Sequence, residues 1–141
     1  MKRLILLVSL SVFLVAAQPA AAALIQSLVI TVEIDKTKDG GFQWDHNPMG
    51  SAPDPFGSIT IPGEKREIPP QQNTYALTYT FNNVTMNVGD PIIFDLADRD
   101  RGRPDDVIAR GSISWNGQSR STHRLGFATI TIIARNAEHA I

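Results

Sequence analysis

Aspartates gather in two loop-like segments of this sequence. Asp98, Asp100 and Asp106 lie along one polar segment that follows an apolar run, and Asp45 and Asp54 lie in an earlier segment rich in glycine and proline. Hard divalent cations such as Ca²⁺ need several oxygen ligands at once, and an irregular site can supply them. We therefore predict that these five aspartates form a calcium site if the two segments lie side by side.

Electrostatic repulsion would make such a site depend on its cation. Two carboxylates about 4 Å apart repel each other by about 4 kcal/mol at an effective dielectric near 20. Without a cation the loops should splay apart, or some carboxyls should hold protons. A polar hairpin is the alternative interpretation, because aspartate also caps turns. We expect Asp105 to face solvent or cap its loop, and Asp95 to be a surface residue of its strand.

Short alternations of apolar and polar residues predict the strands that position these loops. The runs that show this period are 27–35, 57–63, 74–82, 90–98, 107–115 and 126–134. Clusters of Gly, Pro, Asn and Asp separate the runs, and nine prolines disfavour long helices. Six to eight short strands at this spacing indicate a single all-β domain, an antiparallel sandwich or barrel.

The N-terminal segment has the features of a secretory signal peptide. A short basic start precedes an apolar run that is too short to cross a bilayer comfortably, and small residues follow as far as Ala23. We predict that residues 1–23 are a signal peptide and that 24–141 form the exported, periplasmic or secreted domain. A retained amphiphilic anchor is the alternative. The chain has no cysteine, so the domain must be stable without disulfides.

Composition and motifs exclude several functions. The net charge of −1 becomes −3 once Lys2 and Arg3 are removed, and a nucleic-acid binder would need a basic face instead. The three histidines lack the spacing of a zinc site, and no nucleophile, phosphate-binding or dinucleotide motif is present. We therefore predict no catalytic apparatus.

The two acidic segments together resemble calcium-binding loops of the C2 domain family. The D-x-D pattern at Asp98 and Asp100, with Asp106 after five further residues, looks like the third calcium loop of that family. The stretch PDPFGSITI (53–61) is similar to the family's first-loop motif and places Asp54 there. The two motifs occur in the family's order, about 44 residues apart.

The resemblance extends from Leu28 to at least Ser114. It implies an eight-stranded antiparallel β-sandwich of two four-stranded sheets, with the calcium loops together at one end. An earlier first-loop aspartate should lie about six residues before Asp54, where this sequence has Pro48. The nearest candidates are Asp45 and Asn47, and we favour Asp45 on an extended loop.

The resemblance also implies candidate partners. Arg99, Arg101 and Arg103 alternate with the acids and could meet anionic lipid headgroups or other phosphates once calcium has neutralised the carboxylates. The calcium-bound loops could also create a surface for a protein partner. The alternative role of the arginines is to stay hydrated and offset the loop's negative charge. The tip sequence RGRP has no large apolar residue to enter a bilayer. The competing hypothesis for the whole chain is a metal-independent β-sandwich that serves as a structural or protein-interaction module.

Overall fold

Eight β-strands make up almost all of the regular structure. The structure, a computed structural model, describes residues 22–44, 52–100 and 104–136. The strands are β1 (Ala23–Ile34), β2 (Pro55–Ile61), β3 (Glu64–Ile68), β4 (Ala76–Met86), β5 (Pro91–Asp98), β6 (Asp106–Ser114), β7 (Arg120–Leu125) and β8 (Ala128–Asn136). Within these ranges, a single 3₁₀ turn at Asp39–Gly41 is the only helical element.

The strands form two four-stranded sheets. One sheet has the order β4-β1-β8-β7 and the other has the order β3-β2-β5-β6, with every neighbouring pair antiparallel. The predicted all-β sandwich of eight antiparallel strands in two four-stranded sheets is therefore confirmed. In the described part of the chain, no helix is long and apolar enough to cross a membrane. The predicted signal peptide lies outside the described residues except for Ala22 and Ala23.

The core lies between the two sheets, where their inward rows meet. Ile30 and Val32 of β1 are fully buried, as are Phe94 and Leu96 of β5. Side chains alternate between the two faces of a strand, so each strand presents one apolar row to the core. Trp44 is also buried, although it belongs to the connection between β1 and β2.

Two strands, β3 and β7, were not predicted from the sequence. Each lies at the edge of its sheet. Ile68 is the only buried residue of β3, and β7 has none. Charged side chains on edge strands discourage pairing with another chain. β3 and β7 lack a full row of buried apolar residues, and the alternation of apolar and polar residues is therefore hard to detect in them.

Strand connectivity gives the sandwich two different ends. The loop end carries the connections 35–54, 69–75, 99–105 and 126–127. The turn end carries the connections 62–63, 87–90 and 115–119. Of the nine aspartates that the structure describes, seven lie in loop-end connections or in the strand residues beside them; Asp90 and Asp95 are the exceptions. The two predicted calcium loops therefore lie at the same end of the sandwich.

Candidate metal centre

Strand register brings three predicted ligands to neighbouring strands at the loop end. Asp98, the last residue of β5, is paired with Pro55 on one side and with Asp106 on the other. Asp54 immediately precedes Pro55. Residues paired across antiparallel strands have Cα atoms about 4.5–5.5 Å apart. The ends of β2, β5 and β6 therefore hold Asp54, Asp98 and Asp106 side by side.

Asp98 is the fully buried member of this group, with 0% exposure. It continues the inward row of Ile92, Phe94 and Leu96, so the phase of its strand directs the carboxylate between the sheets. Its Oδ1 accepts a hydrogen bond from the backbone N–H of Asp54, at 2.6 Å. A buried carboxylate is costly unless it is hydrogen-bonded or paired. This bond therefore anchors the end of the connection 35–54, which we call the first loop, to β5.

Asp54 links three connections of the loop end. Its Oδ1 accepts the backbone N–H of Asn73 at 2.8 Å, which joins the first loop to the connection 69–75. Its carbonyl oxygen accepts the N–H of Arg99 at 3.1 Å, which joins the first loop to the connection 99–105. Asn73 has a left-handed backbone (φ 49°), a conformation that asparagine tolerates better than most residues. Backbone and carboxylate of Asp54 thus hold the loops together.

Asp106 forms an ion pair with a lysine of the first loop. The Lys38 ammonium contacts Oδ2 of Asp106 and donates a second hydrogen bond to the Trp44 carbonyl oxygen, at 3.3 Å. It also lies 5.4 Å from the centroid of the Trp44 ring. Trp44 is fixed in turn, since its indole N–H donates to the carbonyl of Asp35 at 2.7 Å. The Lys38 ammonium, a positive charge of the chain itself, is therefore already paired with one of the predicted calcium ligands.

Two aspartates behave as the sequence predicted. Asp105 is exposed, and its Oδ1 accepts the backbone N–H of half-buried Asp100 at 3.1 Å, so it caps the loop. Asp95 is exposed on the outer face of β5 and pairs with Arg110 at 2.8 Å. Both interpretations are confirmed.

The remaining first-loop candidates, Asp45 and Asn47, lie outside the described residues, as do Arg101 and Arg103. The choice between Asp45 and Asn47 stays a prediction. Across 22–44, 52–100 and 104–136, no three carboxylate, histidine or cysteine side chains lie close enough together to hold a metal ion. The donor chemistry of the described candidates fits calcium, because Asp54, Asp98, Asp100 and Asp106 are all carboxylates in or beside loop-end connections.

A pocket of about 380 Å³ adjoins the Lys38–Asp106 pair. Its walls are Lys38, Asp39, Phe42, Asp106, Val107 and Phe127. Phe42 is 66% exposed, so the loop end has an accessible aromatic side chain that the tip sequence RGRP does not supply. Neither Lys38 nor Phe42 was singled out from the sequence. Lys38 is 68 residues from Asp106, and no periodic pattern connects positions so far apart.

A second ion pair, between Asp35 and Arg124, lies at the loop end beside β7. The Arg124 guanidinium donates to the Asp35 carboxylate, with an Nη1–Oδ1 distance of 2.8 Å. This hydrogen bond holds the pKa of Asp35 below its ordinary value; partial burial opposes the effect, and the charge of Arg124 adds to it. Asp35 therefore ties β1 to the edge strand β7.

Comparisons with known proteins find similarity among solved structures. No family model matches this chain, and no curated protein matches it. Among solved structures, it is similar to a chain that contains the C2 domains A and B of Extended-Synaptotagmin 2, with 16% sequence identity and a TM-score of 0.46. The match covers 94% of this chain and 48% of that chain, so this chain spans about half the length of its structural relative.

Proposed function

We propose that this chain is an exported C2-like domain that binds Ca²⁺ at its loop end. Asp54, Asp98, Asp100 and Asp106 are the proposed ligands, with Asp45 as the fifth. The observation that carries the proposal is the register that aligns Asp54, Asp98 and Asp106 on three adjacent strands, with Asp98 fully buried. Aspartate is almost never fully buried unless its charge is paired or coordinates a cation.

Calcium would draw together loop-end carboxylates that the described part of the chain does not yet gather around one ion. It accepts six to eight oxygen ligands in irregular geometry, and carboxylates bind it through one or two oxygens. Adjacent carboxylates that repel each other in the free protein would then share one cation. Since Asp54 already contacts both neighbouring connections, calcium bound there would order 69–75 and 99–105 together.

Calorimetric titration of residues 22–141 tests this proposal directly, because this fragment contains all eight strands. We expect saturable heat with Ca²⁺ at micromolar to millimolar dissociation constants and weaker binding of Mg²⁺, which demands a more regular site. An absence of heat at millimolar calcium, together with an unchanged melting temperature, would contradict it.

We further propose that the calcium-bound loop end presents a surface to anionic lipid headgroups or to a protein partner. Exposed Arg99 and exposed Phe42 support this proposal, since basic and aromatic side chains suit such surfaces. Sedimentation with vesicles that contain about one fifth phosphatidylserine tests whether the partner is lipid or protein. Binding in calcium but not in chelator supports lipid recognition. Failure to sediment in either buffer would exclude lipid and leave calcium binding untouched.

A metal-independent interaction module is the second candidate, and the Lys38–Asp106 pair favours it. In that case Lys38 already supplies the cation that one carboxylate needs. The double substitution of Asp98 and Asp100 by asparagine should then leave the melting temperature unchanged or slightly higher, whether or not calcium is present. We propose a binding rather than a catalytic role in either case, because the sequence carries no recognisable catalytic motif.

A further inference from the structure

The backbone of Lys38 is fixed by a tight turn in the first loop. Its N–H donates to the carbonyl of Phe42 at 2.7 Å, and its carbonyl accepts the N–H of Gly41 at 3.1 Å. Gly40 and Gly41, inside the turn, have left-handed backbones with φ of 75° and 78°. Glycine adopts this conformation at no steric cost. The turn therefore sets the direction in which the Lys38 side chain leaves the loop.

The Lys38 side chain is held at its far end as well. It is only 19% exposed, whereas lysine usually extends its ammonium into water. The ammonium contacts Asp106, the Trp44 carbonyl and the face of the Trp44 ring. Two of these three partners belong to Trp44, which is buried and whose indole N–H donates to the Asp35 carbonyl. The ammonium thus has a defined place at the loop end.

We infer that Lys38 is a tethered counter-ion that competes with calcium for Asp106 and thereby sets the calcium affinity of the loop end. The inference rests on the proposed calcium site. In the calcium-free protein, the ammonium neutralises the Asp106 carboxylate. Calcium must displace it from Asp106 or bind beside a fixed positive charge, and both lower the affinity. The same contact therefore stabilises the free form and weakens the calcium-bound form.

The test is a calorimetric calcium titration of residues 22–141 carrying Lys38→Met, which removes the ammonium and keeps most of the apolar stem. The matched control is Lys36→Met, which removes the same charge from an exposed position of the same loop. We expect the calcium dissociation constant to fall about tenfold for Lys38→Met, because a unit charge about 6 Å from a divalent cation opposes its binding even at a water-like dielectric. Screening by 0.15 M salt should keep the control within about threefold of the wild type. Lys38→Arg should bind calcium like the wild type.

The outcomes separate this inference from the proposed function. Equal calcium affinities of the wild type and Lys38→Met would overturn the inference and leave the calcium site standing. Calcium binding by Lys38→Met but not by the wild type would support the inference, because Lys38 would then prevent calcium binding altogether. An absence of binding by both would overturn the proposed function and the inference with it.

A measurement on the unmutated side chains keeps the inference testable if Lys38→Met does not fold. Selective ¹³C labelling of lysine reports on each lysine side chain and leaves its ammonium unmodified. Saturating calcium should shift the NMR resonance of the Lys38 Cε and leave that of Lys36 in place. A Lys38 resonance that does not move, under conditions where heat of calcium binding is measured, would overturn the inference.

Discussion

The two ends of the sandwich hold their connections in different ways. At the turn end, backbone groups bond to each other: Gly89 N–H donates to Trp115 O at 2.8 Å, and Trp115 N–H donates to Asp90 O at 2.9 Å. At the loop end, backbone bonds such as that from Arg99 N–H to Asp54 O are joined by side-chain carboxylates, as Asp98 accepts the Asp54 N–H and Asp54 accepts the Asn73 N–H. Carboxylates that connect distant parts of the chain therefore distinguish the loop end from the turn end, where the Asp90 carboxylate caps a local turn.

This difference shows why an aspartate alone does not indicate a site. Asp90 accepts the N–H of Asn87 at 2.7 Å, three residues away, and so caps a turn. Asp98 is fully buried and joins residues 44 positions apart. The two side chains are chemically identical. Burial and the acidic neighbours on adjacent strands are what distinguish the candidate ligand from the cap.

The largest effect should come from Gly57, which lies in β2 three residues after Asp54. Its φ is 133°, and a Cβ there would lie 1.9 Å from the Asp95 carbonyl oxygen of β5. We expect Gly57→Ala to lower the free energy of unfolding by about 3 kcal/mol or more, since backbone would have to move. Gly63→Ala, at the turn end, also has a left-handed φ but meets nothing within 4 Å, and should cost about 1 kcal/mol. Equal losses in urea denaturation would show that the close approach at the loop end is not a constraint.

The next effect compares Asp98→Ala with Asp90→Ala in calcium-free buffer. Asp98→Ala removes the acceptor of the Asp54 N–H from a buried place and leaves a small void, which should cost about 2–3 kcal/mol. Asp90→Ala removes a local cap from a half-buried turn and should cost about 1 kcal/mol. Urea denaturation measures both. If Asp98→Ala lowers the free energy of unfolding no more than Asp90→Ala does, Asp98 does not have the structural role assigned to it.

The smallest effect concerns acid stability at the loop end. Because the folded-state pKa of Asp35 is lowered, its pair with Arg124 contributes stability that is fully present above the ordinary aspartate pKa, about 3.9. That contribution is lost as the pH falls through the folded-state pKa. Both side chains are partly exposed, at 34% and 53%, so we expect less than about 1 kcal/mol.

Asp35→Asn should accordingly reduce the fall in stability between about pH 4 and pH 2, measured by urea denaturation at each pH. Asp39→Asn, an exposed residue of the same connection, is the control and should leave the pH profile close to that of the wild type. Identical pH profiles for Asp35→Asn and Asp39→Asn would rule out the pair as a source of acid sensitivity.

Much of the fold could be predicted from the sequence, because six of the eight strands each contribute two or more buried apolar residues to the core. The rows of β1 and β5 were predicted, and the phase of Ile92, Phe94 and Leu96 also explains why Asp98 is buried. The edge strands β3 and β7 could not be predicted in the same way. In the six residues of β7, RSTHRL, no side chain is fully buried, so its membership of the sheet depends on pairing with β8.

The carboxylates of the candidate site could be predicted from the sequence, but Lys38, whose ammonium pairs with Asp106, could not. Spacing placed Asp54, Asp98 and Asp106 in two loops, and register brings those loops to one end. Lys38 reaches Asp106 because the turn at Asp39–Gly41 redirects the first loop, and nothing local to either residue indicates that pairing. Tertiary contacts of this kind depend on the whole chain.

The most direct test of calcium binding at the loop end is the melting temperature of residues 22–141 with Ca²⁺ and with chelator. Asp98→Asn and Asp95→Asn make the same substitution on one strand, the first at the buried loop-end position and the second on the outer face. At a calcium concentration about 100 times the dissociation constant, we predict that the wild type and Asp95→Asn melt about 10 °C higher than in chelator, and that Asp98→Asn shows almost no shift. A wild type that melts at the same temperature in both buffers, or an Asp98→Asn variant that keeps the full shift, would contradict a calcium site built on Asp98.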